Sequence, residues 1–278
     1  MKQNKSLTFI GGGNMARSLI GGLLQNGWPA EKITVSDPDP DQPARLYQLD
    51  PELTVLADNH KAVKSADVVI LAVKPQILQP VCRDLATELS VRHPLLISIA
   101  AGVRTEDIDR WAGGNLPIVR CMPNTPALVQ SGATGLYANA AATDDNKGLA
   151  ETLMRAVGVT VWVDDEQQLN AVTALSGSGP AYFFLILEAL QSAGENLGLS
   201  ADVARLLSIE TAFGSAKLAL ESQENAAVLR ERVTSPGGTT ERALEVLESG
   251  KLRELFNQAL EAASQRAVEL AEQLGKDQ

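Results

Sequence analysis

The sequence predicts an α/β protein: a mostly parallel sheet in the first part of the chain, followed by an all-helical second part. Three observations carry this. Short apolar runs alternate with helical stretches as far as about residue 163, a glycine-rich turn directly follows the first run, and beyond residue 165 only helical periodicity remains. Strands separated by helices belong to parallel sheets, because a parallel neighbour can be reached only by a crossover. The change of texture after Asp164-Asp165-Glu166 puts the boundary near residue 165 and gives two domains, 1–164 and 165–278.

The first run, Leu7-Thr8-Phe9-Ile10, leads into Gly11-Gly12-Gly13-Asn14-Met15-Ala16. This reads as strand, tight turn and helix, with the pattern G-x-G-x-x-A met by Gly11, Gly13 and Ala16. Gly11 allows the turn, Gly13 lets a pyrophosphate approach the backbone, and Ala16 lets the helix pack closely on the strand. The anion then sits at a helix N-terminus, where free N–H groups and the dipole favour negative charge. Such an arrangement is Rossmann-like. The helix runs to about Gln25 and stops at Asn26-Gly27.

A second strand follows at residues 33–36, and Asp37 stands about twenty residues beyond the turn, where this fold often sets an acid against a ribose 2′-hydroxyl. A polar loop at 38–41, a short helix at 44–49, a strand at 53–56 and a brief helix at 59–65 come next. Residues 67–73 form a continuous apolar strand that must be buried on both faces, closed by Lys74-Pro75. A helix to about residue 90, a strand at 95–99 and the turn Ala100-Ala101-Gly102 complete another unit. A helix begins at Thr105, strands occupy 118–121, 135–138 and 159–163, and a helix spans 144–157. The loop Met122-Pro123-Asn124-Thr125-Pro126 between the first two of these strands holds two prolines, which exclude a helix. Residues 181–197, 201–220 and 252–274 are rich in Ala and Leu at helical spacing.

Composition limits the function. With 45% apolar and 21% charged residues, the chain is globular in character. No run of eighteen apolar residues appears, so no membrane span is expected. The polar start Met1-Lys2-Gln3-Asn4-Lys5-Ser6 leads straight into the first strand, with no room for a signal peptide, and a cytoplasmic location is expected. Cys82 and Cys121 are too few for a disulfide framework, and His60 and His93 lie at no metal spacing, so buried thiols, surface imidazoles and no metal are expected. A net charge of −10 argues against nucleic acid and acidic membranes as partners. The apolar surface of the late helices calls for a second subunit to cover it.

Two clusters interrupt those helices: Ser176-Gly177-Ser178-Gly179-Pro180 and Ser235-Pro236-Gly237-Gly238-Thr239-Thr240. In the second, exposed backbone N–H groups and a threonine that caps the helix or donates its hydroxyl form either a carboxylate cradle or an ordinary capped loop. Together with Phe9-Ile10-Gly11-Gly12-Gly13-Asn14-Met15-Ala16, Ala72-Val73-Lys74-Pro75 and Met122-Pro123-Asn124-Thr125-Pro126, in this order and spacing, the chain resembles the pyrroline-5-carboxylate reductases over essentially its whole length.

The resemblance implies a dinucleotide-binding domain, a helical substrate-binding and dimerisation domain, and NAD(P)H-dependent reduction of 1-pyrroline-5-carboxylate to L-proline. It implies a homodimer or higher homo-oligomer, with NADP(H) or NAD(H) as cofactor. By the same resemblance Gly11, Gly12, Gly13, Asn14, Met15 and Ala16 hold the pyrophosphate, Ala72, Val73, Lys74 and Pro75 line the dinucleotide, Asn59 lies near its adenosine half, and Ala100 and Ala101 lie beside the nicotinamide. Ser235, Gly237, Gly238, Thr239 and Thr240 bind substrate, with amides on the carboxylate and Thr240 on the ring nitrogen as the catalytic hydrogen-bonding residue. Ser36 and Asp37 are the candidates for reading the ribose 2′-position, and the acid, with no base before Arg45, favours use of NADH. Lys74 is either a phosphate counter-charge or a turn residue, Arg120 is expected to pair with a carboxylate, and Tyr182 to pack. Two other classes fit less of the sequence: a hydroxyacid dehydrogenase would need a catalytic Lys or His motif, and a nucleotide-sensing module would not need the 235–240 motif.

Overall fold

The computed structural model describes residues 5–276; the N-terminal residues Met1 to Asn4, read above as part of a polar start, lie outside the described residues. Eight strands, β1 (Leu7–Ile10), β2 (Ile33–Ser36), β3 (Thr54–Leu56), β4 (Val68–Leu71), β5 (Leu95–Ser98), β6 (Ile118–Met122), β7 (Gly132–Ala138) and β8 (Gly158–Trp162), form one sheet in the order β3-β2-β1-β4-β5-β6-β7-β8. All neighbours run parallel except β6 and β7. The helices between them are α1 (Asn14–Gln25), α2 (Gln42–Tyr47), α3 (Asn59–Val63), α4 (Pro75–Asp84), α5 (Ala86–Arg92), α6 (Thr105–Trp111) and α7 (Asp144–Met154). Then come α8 (Gln168–Val172), α9 (Gly179–Asn196), α10 (Ala201–Glu221), α11 (Ala226–Arg232), α12 (Thr239–Ser249) and α13 (Leu252–Leu274).

Two compact units result: Met1–Ser178 with Ala263–Gln278, and Gly179–Ala262. In the first, the sheet is buried on both faces, and β4 shows why its sequence is apolar throughout. Val68 and Ile70 join one core cluster with Phe9, Leu19, Ile20 and Val35, while Val69 and Leu71 join the other with Leu78, Leu96, Ile108 and Trp111. Successive side chains point to opposite faces, so a strand covered on both sides has no polar positions.

Three local expectations are corrected. The single helix over residues 75–90 is two, broken at Leu85, with Pro80 inside α4. The prolines after β6 exclude an α-helix but admit the 3₁₀ turn Thr125–Val129, where Pro126 sits in the first turn and its missing N–H costs nothing. The stretch before α9 is helical too: α8 runs into the π-helical turn Thr173–Gly177.

The second unit holds α9 to α12 and the start of α13. Two of its helices, α10 and α11, carry side-chain caps, Ser200 and Asn225 accepting from the N–H groups of Val203 and Val228. Among its described residues the buried apolar set contains only Ala204. The continuous helical stretch Gln168–Asn196 has the length and apolarity of a membrane span by composition alone, which is weak ground for one.

Candidate active site

Strand order reverses direction between β1 and β4, and the loops leaving the carboxyl ends of β1, β2, β4 and β5 meet there, the place where open α/β sheets bind ligands. Backbone bonds lock them in contact. The Gly11 N–H donates to the Ser36 carbonyl at 2.8 Å, the Ala72 N–H to the Ile10 carbonyl at 2.8 Å, and the Ile99 N–H to the Leu71 carbonyl at 3.1 Å. Gly11 has φ +99°, and a Cβ there would approach the Ala72 carbonyl oxygen to 2.7 Å, so only glycine fits. Residues 11–16, Ser36, Asp37, Asn59, Ala72 to Pro75, Ala100 and Ala101 therefore gather at one edge of one compact unit, with Ala16, Ser36 and Ala100 buried there.

The turn fits a dinucleotide pyrophosphate. Gly13 is the N-cap of α1, makes no side-chain cap, and has open space where a Cβ would stand. The first turn of α1 carries no acid. A helix N-terminus left open in this way presents free N–H groups and positive partial charge to an anion.

Around the carboxyl end of β2, the side chains are already committed to one another. The Asp37 carboxylate accepts from the Gly12 N–H at 2.7 Å and from the Asp39 N–H at 2.9 Å, tying the glycine turn to the loop after β2. The Ser36 hydroxyl donates to Asn59 Oδ1 at 2.7 Å, and Asn59 opens α3 behind the N-cap Asp58. Arg45 pairs with Asp39 and Asp41. Arg17 is the base that the sequence reading missed: from α1 it donates to Gln42 Oε1 at 3.1 Å and to Asn14 Oδ1, reaching the start of α2. Its spacing of three from Asn14 on one helix face was the only signal. Lys74 is the N-cap of α4 and exposed.

Beside the β5 loop, Arg120 meets its carboxylate. Glu166 accepts from Arg120 Nη1 at 2.9 Å, from the Thr105 N–H at 2.8 Å and from the Thr105 hydroxyl at 2.7 Å. The pair is nearly buried, and the same carboxylate holds Thr105, the first residue of α6. Arg104, Glu106, Arg120, Glu166 and Glu272 line a cleft of about 390 Å³ here.

In the other unit, residues 235–240 turn into α12. Gly237 has φ +71° and open space at its Cα. Two of the expected amide donors are already used: the Gly237 N–H donates to Glu241 Oε2 at 2.6 Å and the Gly238 N–H to the Ser235 carbonyl at 3.0 Å. Gly238 is the N-cap, without a side-chain cap, so neither Thr239 nor Thr240 caps the helix; they are its first two residues. The N–H groups there are the orphan donors of the helix start.

Both cysteines are buried, burial pushing the Cys82 thiol up to about 12 and the Cys121 thiol higher still. Neither is a nucleophile near neutral pH. His60 bridges Glu88 at 2.8 Å and Asp84 at 3.1 Å, and His93 ends α5 in the left-handed conformation. Among the described residues no cluster could hold a metal ion.

A glycine cradle at the switch point of a doubly wound sheet, joined in one chain to a helical unit, is the architecture of a dinucleotide-binding protein. Comparison with known proteins narrows the class. Residues 6–102 match the family model "NADP oxidoreductase coenzyme F420-dependent" and residues 166–270 match "Pyrroline-5-carboxylate reductase dimerisation". The chain is 51% identical over 273 residues to the pyrroline-5-carboxylate reductase of Pseudomonas aeruginosa, covering 97% of this chain and 98% of that one. It is similar to the solved structure of a Coxiella burnetii pyrroline-5-carboxylate reductase, with TM-score 0.92, 50% identity and coverage of 96% and 98%. It is also similar to the Plasmodium falciparum pyrroline carboxylate reductase solved with NADP bound, with TM-score 0.85, 28% identity and coverage of 97% and 99%. The chain belongs to the pyrroline-5-carboxylate reductase family.

Proposed function

We propose that this chain reduces 1-pyrroline-5-carboxylate to L-proline with NADPH or NADH, and that residues 1–164 bind the dinucleotide while residues 165–278 bind substrate and dimerise. The match of residues 166–270 to the dimerisation model supports that division. The observation that carries the reading is the pair of open helix starts: α1 behind Gly13 for a pyrophosphate, and α12 behind Gly238 for a carboxylate. The nicotinamide supplies the hydride.

The residues supply binding and orientation. The N–H groups at the start of α1 hold the pyrophosphate, and residues 72–75, 100 and 101 flank the dinucleotide. The substrate carboxylate rests on the Thr239 and Thr240 N–H groups, since those of Gly237 and Gly238 are engaged within the loop. The Thr240 hydroxyl hydrogen-bonds the ring nitrogen and fixes its orientation. The imine brings its own proton, so the site needs no charged general acid and works through near-attack geometry.

Asp37 disfavours a 2′-phosphate and Arg17 favours one; with both Asp37 oxygens bound to backbone N–H groups, the acid is fixed in place, so appreciable use of NADH follows. Assembly is a homodimer or larger homo-oligomer through the helical unit, in a soluble, cytoplasmic enzyme with neither nucleic acid nor membrane as partner; the apolar stretch Gln168–Asn196 lies wholly within the dimerisation match and serves that interface. The test is reduction of pyrroline-5-carboxylate followed by loss of nicotinamide absorbance with each cofactor. No turnover with either would overturn the reading. A preference for NADPH above about a hundredfold, about 2.7 kcal/mol of discrimination, would show that Arg17 or the loop, and not Asp37, sets selection.

A further inference from the structure

Helix α9 opens Gly179-Pro180, and that proline creates a problem one turn earlier. In a helical ladder the Ser176 carbonyl would accept from the N–H of residue 180, which proline lacks. The chain here is a π-helical turn, Thr173–Gly177, closed by the Ser178 N–H donating to the Thr173 carbonyl at 2.8 Å. Thr173 and Ser176 turn their hydroxyls back onto the Leu169 and Val172 carbonyls, at 2.7 and 3.0 Å. The orphaned Ser176 carbonyl accepts instead from Asn124 Nδ2 at 3.0 Å. Asn124 Oδ1 in turn accepts from the Ala133 N–H at 2.9 Å, at the start of β7. Both ends of one amide are thus used, and a Cβ on Gly177 would collide with Met122 Cε at 2.5 Å. The π turn is pressed against the carboxyl end of β6.

That end neighbours the end of β5, where residues 99–101 begin. π turns inserted in α-helices are frequent at functional sites, because the extra residue re-aims the local backbone. We propose that Asn124 is a positioning residue for hydride transfer: its amide holds the turn Thr173–Gly177 as a fixed wall at the nicotinamide end of the site. This rests on the reductase reading above. Asn124 touches no reacting atom in this account; it acts through the backbone that it holds.

Asn124→Asp in the full-length assembled protein tests this. An ionised aspartate can still accept from the Ala133 N–H, but it offers the Ser176 carbonyl no hydrogen. Protonation restores an O–H donor in the same place. At about pH 8 the variant should lose kcat by about tenfold or more, as displacement of positioning groups does, while the KM for reduced nicotinamide stays within about twofold of the parent. The gap should close as pH falls into the carboxylic acid range, and the isotope effect with 4-deuterated nicotinamide should be larger in the variant at high pH. A role confined to holding β7 gives neither the kcat loss nor the rescue by acid, and that result would overturn the inference. Hydrogen exchange at the Ser178 N–H, which closes the π turn, reads the same question without activity: faster exchange in Asn124→Asp, or in Asn124→Ala if the aspartate variant fails to fold, supports the proposal, and unchanged exchange refutes it. If the parent itself does not reduce pyrroline-5-carboxylate, the reductase reading fails, and the exchange measurement still decides whether Asn124 holds the turn.

Discussion

Thr240 stands second in α12, behind an N-cap, Gly238, that makes no side-chain bond. Its hydroxyl is therefore not a helix cap, and Thr240→Val should leave the unfolding temperature nearly unchanged. A role on the ring nitrogen predicts a fall in kcat/KM on the order of ten- to a thousandfold, about 1.4–4 kcal/mol, with a smaller change in substrate KM. Steady-state kinetics beside a thermal unfolding curve check this; turnover within about twofold of the parent and a lowered melting temperature would make Thr240 structural. Residues of this kind are legible in sequence because their signal is local: Gly11 needs its φ, and Gly237-Gly238-Thr239 announces a helix start within four positions. Arg17 and Glu166 were not, since their partners lie far along the chain. Gln42 is 25 residues from Arg17 and Thr105 is 61 from Glu166, and only the folded sheet brings each pair together.

Between elements, two side-chain clusters hold the layers in place. Glu166 binds the start of α6 and the middle of β6 at once, so Glu166→Ala leaves Arg120, 3% exposed, without its partner. Breaking a buried pair from one side costs about 3–5 kcal/mol, and urea unfolding should report a loss of that size; a loss below about 1 kcal/mol would show that water replaces the carboxylate. His60 staples α3 to α4 and α5 through Glu88 and Asp84. The hydrogen bond that His60 donates to Glu88 raises the His60 pKa above its ordinary 6.5, and the same bond lowers that of Glu88 below its ordinary 4.5. The imidazole's contribution is full below 6.5 and lost as pH rises through its raised value; the carboxylate's is full above 4.5 and lost as pH falls through its lowered one. The melting-temperature deficit of His60→Gln should thus be greatest between those values and shrink at higher pH; a deficit independent of pH would mean lost packing. All eight strands were legible, because apolar runs between turn residues have few other readings. The break at Leu85 and the π turn were not: each depends on what its helix packs against, and periodicity carries no record of that.

At the scale of the whole molecule, the helical unit lacks a core of its own. Ala204 is its only buried apolar residue among those described, while Phe183, Phe184 and Leu185 are 64%, 65% and 66% exposed, and Leu206, Leu207 and Phe213 are 59%, 53% and 63% exposed. Helices α9 and α10 pack on each other and leave these residues outward. Exposed apolar surface on this scale is covered by a partner in stable proteins, and the family match names that segment as a dimerisation region. A second copy of the chain is the cover, and the unit's stability is then inseparable from assembly. Charges placed on this face test the point. Phe184→Glu with Leu207→Glu should convert the oligomer to monomer in light scattering and abolish turnover, because each buried carboxylate would have to leave water without a partner. The dinucleotide-binding unit has its own two-faced core and should still bind reduced nicotinamide in the variant, read by fluorescence titration. A monomer that keeps full activity would show that the helical unit is complete in one chain, and an oligomer that survives both charges would move the interface to another face.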